Sequence, residues 1–122
     1  MGGQRCTILR GRSVAPDSVE GREVFAGLLG CEADDVESFG SELPAGGSRD
    51  RHWHSGAIVA AVVAGDLEMV FDDGERHRLG PGDWIRVAPG VPHDEHSDSG
   101  VSLVIGHTEP FDNVSPTPPG GP

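Results

Sequence analysis

Six histidines lie between positions 52 and 107 of a 122-residue chain: His52, His54, His77, His93, His96 and His107. The pair in His52-Trp53-His54 has the most informative spacing. On a strand, residues two apart point to the same face, about 6.5–7 Å apart along the chain. Two imidazoles so placed can converge on one divalent ion, and a third ligand must then come from a neighbouring strand. His93 opens a predicted strand after the turn Pro89-Gly90-Val91-Pro92 and is the candidate for that place. An HxH pair alone more often marks two ordinary strand histidines; the glycines and prolines around this one change the reading.

The elements that must position these residues are short. The sequence predicts strands over 4–10, 36–43, 67–71, 75–79, 84–88, 93–97 and 101–107, with a long apolar stretch from Arg51 to Ala64. Arg22 to Leu29 is compatible with a strand or one helical turn, and periodicity does not decide. Asp72-Asp73-Gly74 is a hairpin signal, and Gly80-Pro81-Gly82-Asp83 is a second turn. Turn signals every 8–12 residues indicate an all-β sandwich or barrel. One domain is expected over 1–107, followed by a Pro/Gly-rich tail over 108–122 that is expected to be disordered or draped on the surface.

The glycine and proline framework resembles the cupin superfamily over about residues 36–107. The first cupin motif runs G, five residues, HxH, three or four residues, E, six residues, G. Here Gly46, His52-Trp53-His54 and Gly65 stand in register, but Ile58 holds the glutamate position. The second motif runs G, five residues, P, x, G, two residues, H, three residues, N. Gly82, Gly90 and His93 match it, with Ala88 at the proline position and Ser97 at the asparagine position. The resemblance implies an all-β double-stranded β-helix (jelly-roll) barrel and a metal held near one mouth by His52, His54 and His93.

Strand parity would turn His52, His54, Gly56, Ile58, Ala60 and Val62 inward. Trp53, Ala57, Val59, Ala61 and Val63 would then lie on a second apolar face. Because cupins often dimerise through sheet packing, that face is the candidate homodimer interface. Ile58 would give the site an apolar wall. Three neutral imidazoles leave a divalent ion its full charge, which favours a small anionic or chelating organic ligand. Iron(II) is the first expectation for the ion, with manganese, nickel or zinc as alternatives. A dioxygenase-type reaction is the first expectation for activity. A lyase, cyclase or isomerase comes next, and a non-catalytic ligand-binding module is the remaining alternative. His107, at the end of the last strand, is the expected fourth ligand or catalytic base.

Other residues take plainer readings. His96 is sent by parity to the face opposite His93, and His77 belongs to a solvated hairpin. Asp94 and Glu95 read as rim charge, Trp84 as core, and Arg86 as solvent-facing. Asp83 serves its own turn. Asp72, Asp73 and Glu75 lack the spacing of a calcium loop. Cys6 and Cys31 provide neither a disulfide framework nor a CxxC pair and read as small, partly buried thiols.

Composition narrows the function classes. Nine basic residues against twenty acidic give a formal charge of −11, which argues against nucleic acid and anionic membrane as partners. No apolar run approaches a membrane span. Met1 to Arg10 lacks a basic region followed by an apolar core, so a signal peptide is not expected and a cytoplasmic location is. All nine basic residues are arginine, tyrosine is absent, and Asn113 is the single asparagine. That bias is the one expected of GC-rich bacterial codons.

Overall fold

The computed structural model describes residues 5–112 and 114. Nine strands form two antiparallel sheets. They are β1 (Cys6–Leu9), β2 (Glu37–Leu43), β3 (Ser48–His52), β4 (Ile58–Gly65), β5 (Leu67–Phe71), β6 (Arg76–Leu79), β7 (Trp84–Val87), β8 (His93–His96) and β9 (Val101–His107). The five-stranded sheet has the order β1-β7-β4-β9-β2, and the four-stranded sheet has β3-β8-β5-β6. From β2 to β9 the chain passes back and forth between the two sheets, except at the β5–β6 hairpin, in the manner of a jelly-roll barrel. The all-β expectation holds, with one α-helix and one short 3₁₀ turn (Ala33–Asp35) added among the described residues.

Two apolar clusters hold these layers. The first lies between the sheets and includes Ile58, Ala60 and Val62 of β4, Met69 and Phe71 of β5, and Leu103 and Ile105 of β9. The second lies outside the five-stranded sheet. There Val59 and Ala61 of β4 and Trp84 of β7 pack against Phe25 and Ala26. Phe25 and Trp84 meet edge to face, with ring centroids 4.9 Å apart. The parity expected for residues 58–62 is thus observed, and Trp84 is core.

The second face is covered by the chain itself. Phe25 and Ala26 belong to α1 (Val19–Leu29), a three-turn helix where the sequence offered a strand or a single turn. Its start is set by Ser18, whose side chain accepts from the Gly21 N–H, and its end by Gly30 in the left-handed region. Only Gly21, Phe25 and Ala26 of this helix are buried, too narrow a stripe to show as a clear period of 3.6. Gly106 makes the docking possible, because a Cβ there would lie 2.4 Å from the Phe25 ring. The face expected to bind a second subunit is therefore covered by α1 at Val59 and Ala61, while Val63 stays exposed.

The apolar stretch from Arg51 to Ala64 is not one strand. It ends in the four-stranded sheet at His52 and resumes in the five-stranded sheet at Ile58. The crossing between sheets carries Trp53 and His54. The segment after His107 is also part of the fold: Trp53 and Val114 form an antiparallel bridge, with both N···O distances 2.8 Å. The tail expected to begin at 108 thus packs on the barrel through residues 108–112 and 114, and the rest of that expectation lies outside the described residues.

Candidate metal centre

β3 and β8 pair so that His52 lies directly opposite His93. The third histidine does come from a neighbouring strand, as the spacing required. His54 is placed differently from the expectation of one shared strand. It sits in the crossing after β3, where its carbonyl accepts from the Gly90 N–H at 2.8 Å. Its ring still turns inward beside the other two. The ring centroids lie 4.9 Å apart for His52 and His54, 4.5 Å for His52 and His93, and 5.2 Å for His54 and His93. One ring nitrogen from each of the three falls within 4.8 Å of the others.

The tautomers follow from the backbone. His52 Nδ1 is 2.7 Å from the Asp50 carbonyl, His54 Nδ1 is 2.6 Å from the Asp112 carbonyl, and His93 Nδ1 is 3.0 Å from the Val91 carbonyl. A carbonyl only accepts, so each Nδ1 carries the proton and donates it. Each Nε2 then presents a lone pair. A carbonyl partner that fixes the ring and its tautomer is the usual support of a metal-binding histidine.

His93 gives the clearest sign of what these rings are built to hold. Its side chain is fully buried, and its Nε2 has no hydrogen-bond partner. An orphaned buried acceptor costs about 1–3 kcal/mol and calls for an explanation. A divalent ion shared with His52 and His54 supplies one, so these residues fit a metal. Burial also holds His93 down at about pKa 4, and burial lowers His54 from its ordinary value. Both rings stay neutral at neutral pH, the form that binds a metal.

His52 and His54 border a cavity of about 590 Å³, into which Ile58 and Ile105 put apolar surface. Ile58 is buried at the position where the family motif has glutamate, and it forms the expected apolar wall. Phe39 and Phe111 pack edge to face with centroids 4.8 Å apart, and Phe111 lies 4.9 Å from the His54 ring. The segment that brings Phe111 is fastened by Asp112, whose carboxylate accepts from the backbone N–H of Ser55 at 2.9 Å and from its hydroxyl. These bonds keep the Asp112 carboxyl below its ordinary range.

Glu95 corrects the sequence reading. Taken as rim charge, it is only 5% exposed and lines the cavity. One oxygen lies 3.8 Å from His93 Nε2, and the other accepts from Arg49 Nη1 at 3.1 Å. The signal was available: Glu95 is two residues from His93 on the same strand and shares its inward face. Arg49 gave no such signal, since its role depends on β3 lying beside β8. Its other nitrogen is held by Ser41 and by the Glu42 carbonyl. Asp94, by contrast, is a rim charge paired with Arg51, whose Nη2 donates at 2.8 Å.

His107 is buried, but it is not brought into the triad. Its Nδ1 donates to the Glu109 carbonyl at 2.6 Å, and its ring packs against Phe111 at 5.6 Å and Phe39 at 5.8 Å. Phe111 packs on both His107 and His54, and the ring nitrogens that converge are those of His52, His54 and His93. His96 points away and bonds Asp98, as parity predicted. His77 is less solvated than its hairpin suggested, since it lies against Glu75 and Cys6. Both cysteines are free and partly buried, as expected.

Comparison with known proteins supports this picture. A family model described as a cupin domain matches residues 41–105, more than half of the chain. No curated protein matches the chain. Among solved structures, a cupin 2 domain-containing protein from Halorhodospira halophila is 23% identical with a TM-score of 0.68, covering 95% of this chain and 84% of that one. The DMSP lyase of Ruegeria pomeroyi is 21% identical with a TM-score of 0.55, over 68% of this chain and 40% of that one. A variant of salicylate 1,2-dioxygenase from Pseudoaminobacter salicylatoxidans is 23% identical with a TM-score of 0.56, over 60% and 21%. At these identities the likeness is one of fold. With the motif glycines and the three histidines standing where the barrel needs them, the chain belongs to the cupin family.

Proposed function

We propose that this cupin is a metal-dependent enzyme acting on a small anionic or chelating organic molecule, with a dioxygenase-type reaction as its activity. His52, His54 and His93 would hold the ion, and iron(II) is the ion this reading requires. The observation that carries it is the unpartnered Nε2 of buried His93, aimed where two other imidazole lone pairs converge. The ion would supply Lewis acidity and open coordination positions for a chelating substrate and dioxygen.

The protein's own groups do the rest. Three neutral imidazoles leave the ion's double charge uncompensated, and the nearest carboxylate, Glu95, is already shared with Arg49. A low-dielectric pocket with that charge favours an anionic ligand. Ile58 and Ile105 would exclude water on one side, while Phe39 and Phe111 would flank a planar molecule on the other. Arg51, which also lines the cavity, would meet its anionic end.

A second reading, a lyase, cyclase or isomerase, is favoured by Glu95. A buried carboxylate beside the triad can accept a proton from a chelated molecule, which is general-base rather than oxygen chemistry. Elemental analysis of protein purified without chelator or added metal comes first. Near one iron per chain, with oxygen uptake on adding a diketone, thiol or chelating acid, supports the dioxygenase reading. Zinc, nickel or manganese, with solvent deuterium entering a bound acid and no oxygen uptake, supports the second. No metal, and no uptake of any offered, overturns both.

A further inference from the structure

A second convergence of metal-type donors lies away from the triad, at the seam between the two sheets. β1 is an edge of the five-stranded sheet and β6 an edge of the four-stranded sheet. Cys6 on β1 places its Sγ 3.6 Å from Nε2 of His77 on β6. The same Nε2 is 2.9 Å from a carboxylate oxygen of Glu75, just before β6. All three donor atoms lie within 4.8 Å of one another. We propose that Cys6, His77 and Glu75 form a second metal site, for a thiophilic divalent ion of the zinc class.

The donor set selects the ion. Thiolate, imidazole and carboxylate are all accepted by zinc, whereas magnesium and calcium avoid sulfur. Tetrahedral zinc, with Zn–S about 2.3 Å and Zn–N about 2.0–2.1 Å, separates sulfur from nitrogen by about 3.6 Å. Cys6 and His77 already stand at that separation. A plain hydrogen bond from His77 to Glu75 explains those two residues but not the thiol turned toward the same nitrogen. Charge also suits the site. One thiolate and one carboxylate neutralise a divalent ion, unlike the three neutral imidazoles of the triad. Arg5 does not compete for the place, because it pairs with Asp72 and Asp73 at the hairpin tip.

Binding would release one proton: the ion takes the sulfur lone pair as the Cys6 S–H bond breaks and that proton leaves to solvent, while His77 shifts its ring proton from Nε2 to Nδ1 and gives the ion the Nε2 lone pair. Burial, with Glu75 and Asp73 nearby, raises the Cys6 thiol, so without metal the proton stays in place. A bound ion would tie β1, which is joined to its own sheet through four residue pairs with β7, to the opposite sheet. The two sites are also neighbours. The Phe71 ring lies 6.0 Å from the His77 ring and 6.0 Å from the His93 ring.

Cobalt(II) titration of the metal-free full chain tests this, because the triad contains no sulfur. A near-ultraviolet thiolate-to-cobalt charge-transfer band is expected in the wild type and in His52→Ala. It should vanish in Cys6→Ser, persist in Cys31→Ser, and need at least tenfold more cobalt in His77→Ala and Glu75→Gln. Circular dichroism confirms that each variant is folded, and Cys6→Ser is close to isosteric. Stoichiometry should fall from two ions per chain to one in Cys6→Ser. Absence of the band in folded wild type, or its survival in Cys6→Ser, overturns the proposal. Loss of the triad's ion with the band retained would instead count against the metal-dependent enzyme reading alone.

Discussion

Replacing Ile58 with glutamate restores the motif carboxylate and tests the centre in two states. Ile58 is 3% exposed and lines the cavity with His52 and His54. Without metal the variant loses the burial of an isoleucine side chain, about 2 kcal/mol. It also gains a buried carboxyl with no cation beside it. A shift of that group by about 2 units, modest for a buried site, costs about 3 kcal/mol. The metal-free variant is therefore expected to be about 5 kcal/mol less stable, a fall in Tm of roughly 20 °C for a chain of this size. With metal, part of that loss is recovered. The carboxylate faces an ion whose charge the imidazoles leave intact, so metal affinity should rise at least tenfold, about 1.4 kcal/mol. Anionic ligands should weaken at the same time. Thermal unfolding with and without metal, followed by competition against a chelator, reads all three effects. An unchanged metal-free Tm together with an unchanged metal affinity would show that Ile58 does not face the ion.

Further outcomes follow from the same contacts. His52→Ala and His93→Ala should each abolish stoichiometric metal at the triad by elemental analysis in a Cys6→Ser background, and one ion per chain in either would refute the ligand assignment. Arg49→Met should cost about 3 kcal/mol in urea unfolding, because it strands Glu95 buried without its cation, while Glu95→Gln should cost about 1 kcal/mol, since Arg49 is 34% exposed. Equal or reversed costs would disprove that asymmetry. Phe25→Ala should cost about 3–5 kcal/mol by undocking α1 from β4 and β7, and a loss under 1 kcal/mol would mean the helix does not seal that face. Hydrogen bonds from Ser99 and from the Asp98 N–H depress Asp66 to about pKa 2. That stability is present above about pH 4, the unfolded value, and is lost as pH falls toward 2. Acid titration of Asp66→Asn should therefore show a shallower loss over that window, and an identical slope would rule the contribution out.

Much of this protein is local and therefore legible in its residues. β5 and β9 begin and end where the alternation and turn signals place them, at Leu67–Phe71 and Val101–His107. The hairpin at Asp72-Asp73-Gly74 joins β5 to β6. The three-histidine cluster was legible because HxH spacing and the glycine framework are short-range facts, and because β8 had to offer His93 to a neighbour. The apolar substitution at Ile58 was equally visible. Such features depend on backbone preferences and side-chain parity, which act over a few residues.

What the residues alone did not decide was which strands become neighbours. The break after His52 sends one apolar run into two sheets, so His54 is held by Asp112, 58 positions away, and not by its own strand. α1 claims the outer face of β4 through three buried residues, too few to make a periodic signal. Glu95 becomes a buried partner of Arg49 because β3 lies beside β8, and Phe111 folds back onto both His54 and His107. Cys6 meets His77 across 71 positions where two sheet edges close. Each of these contacts is fixed by the pairing order of the whole barrel. The free energy that selects that order is burial of apolar surface summed over both clusters, a quantity that no short window of sequence contains.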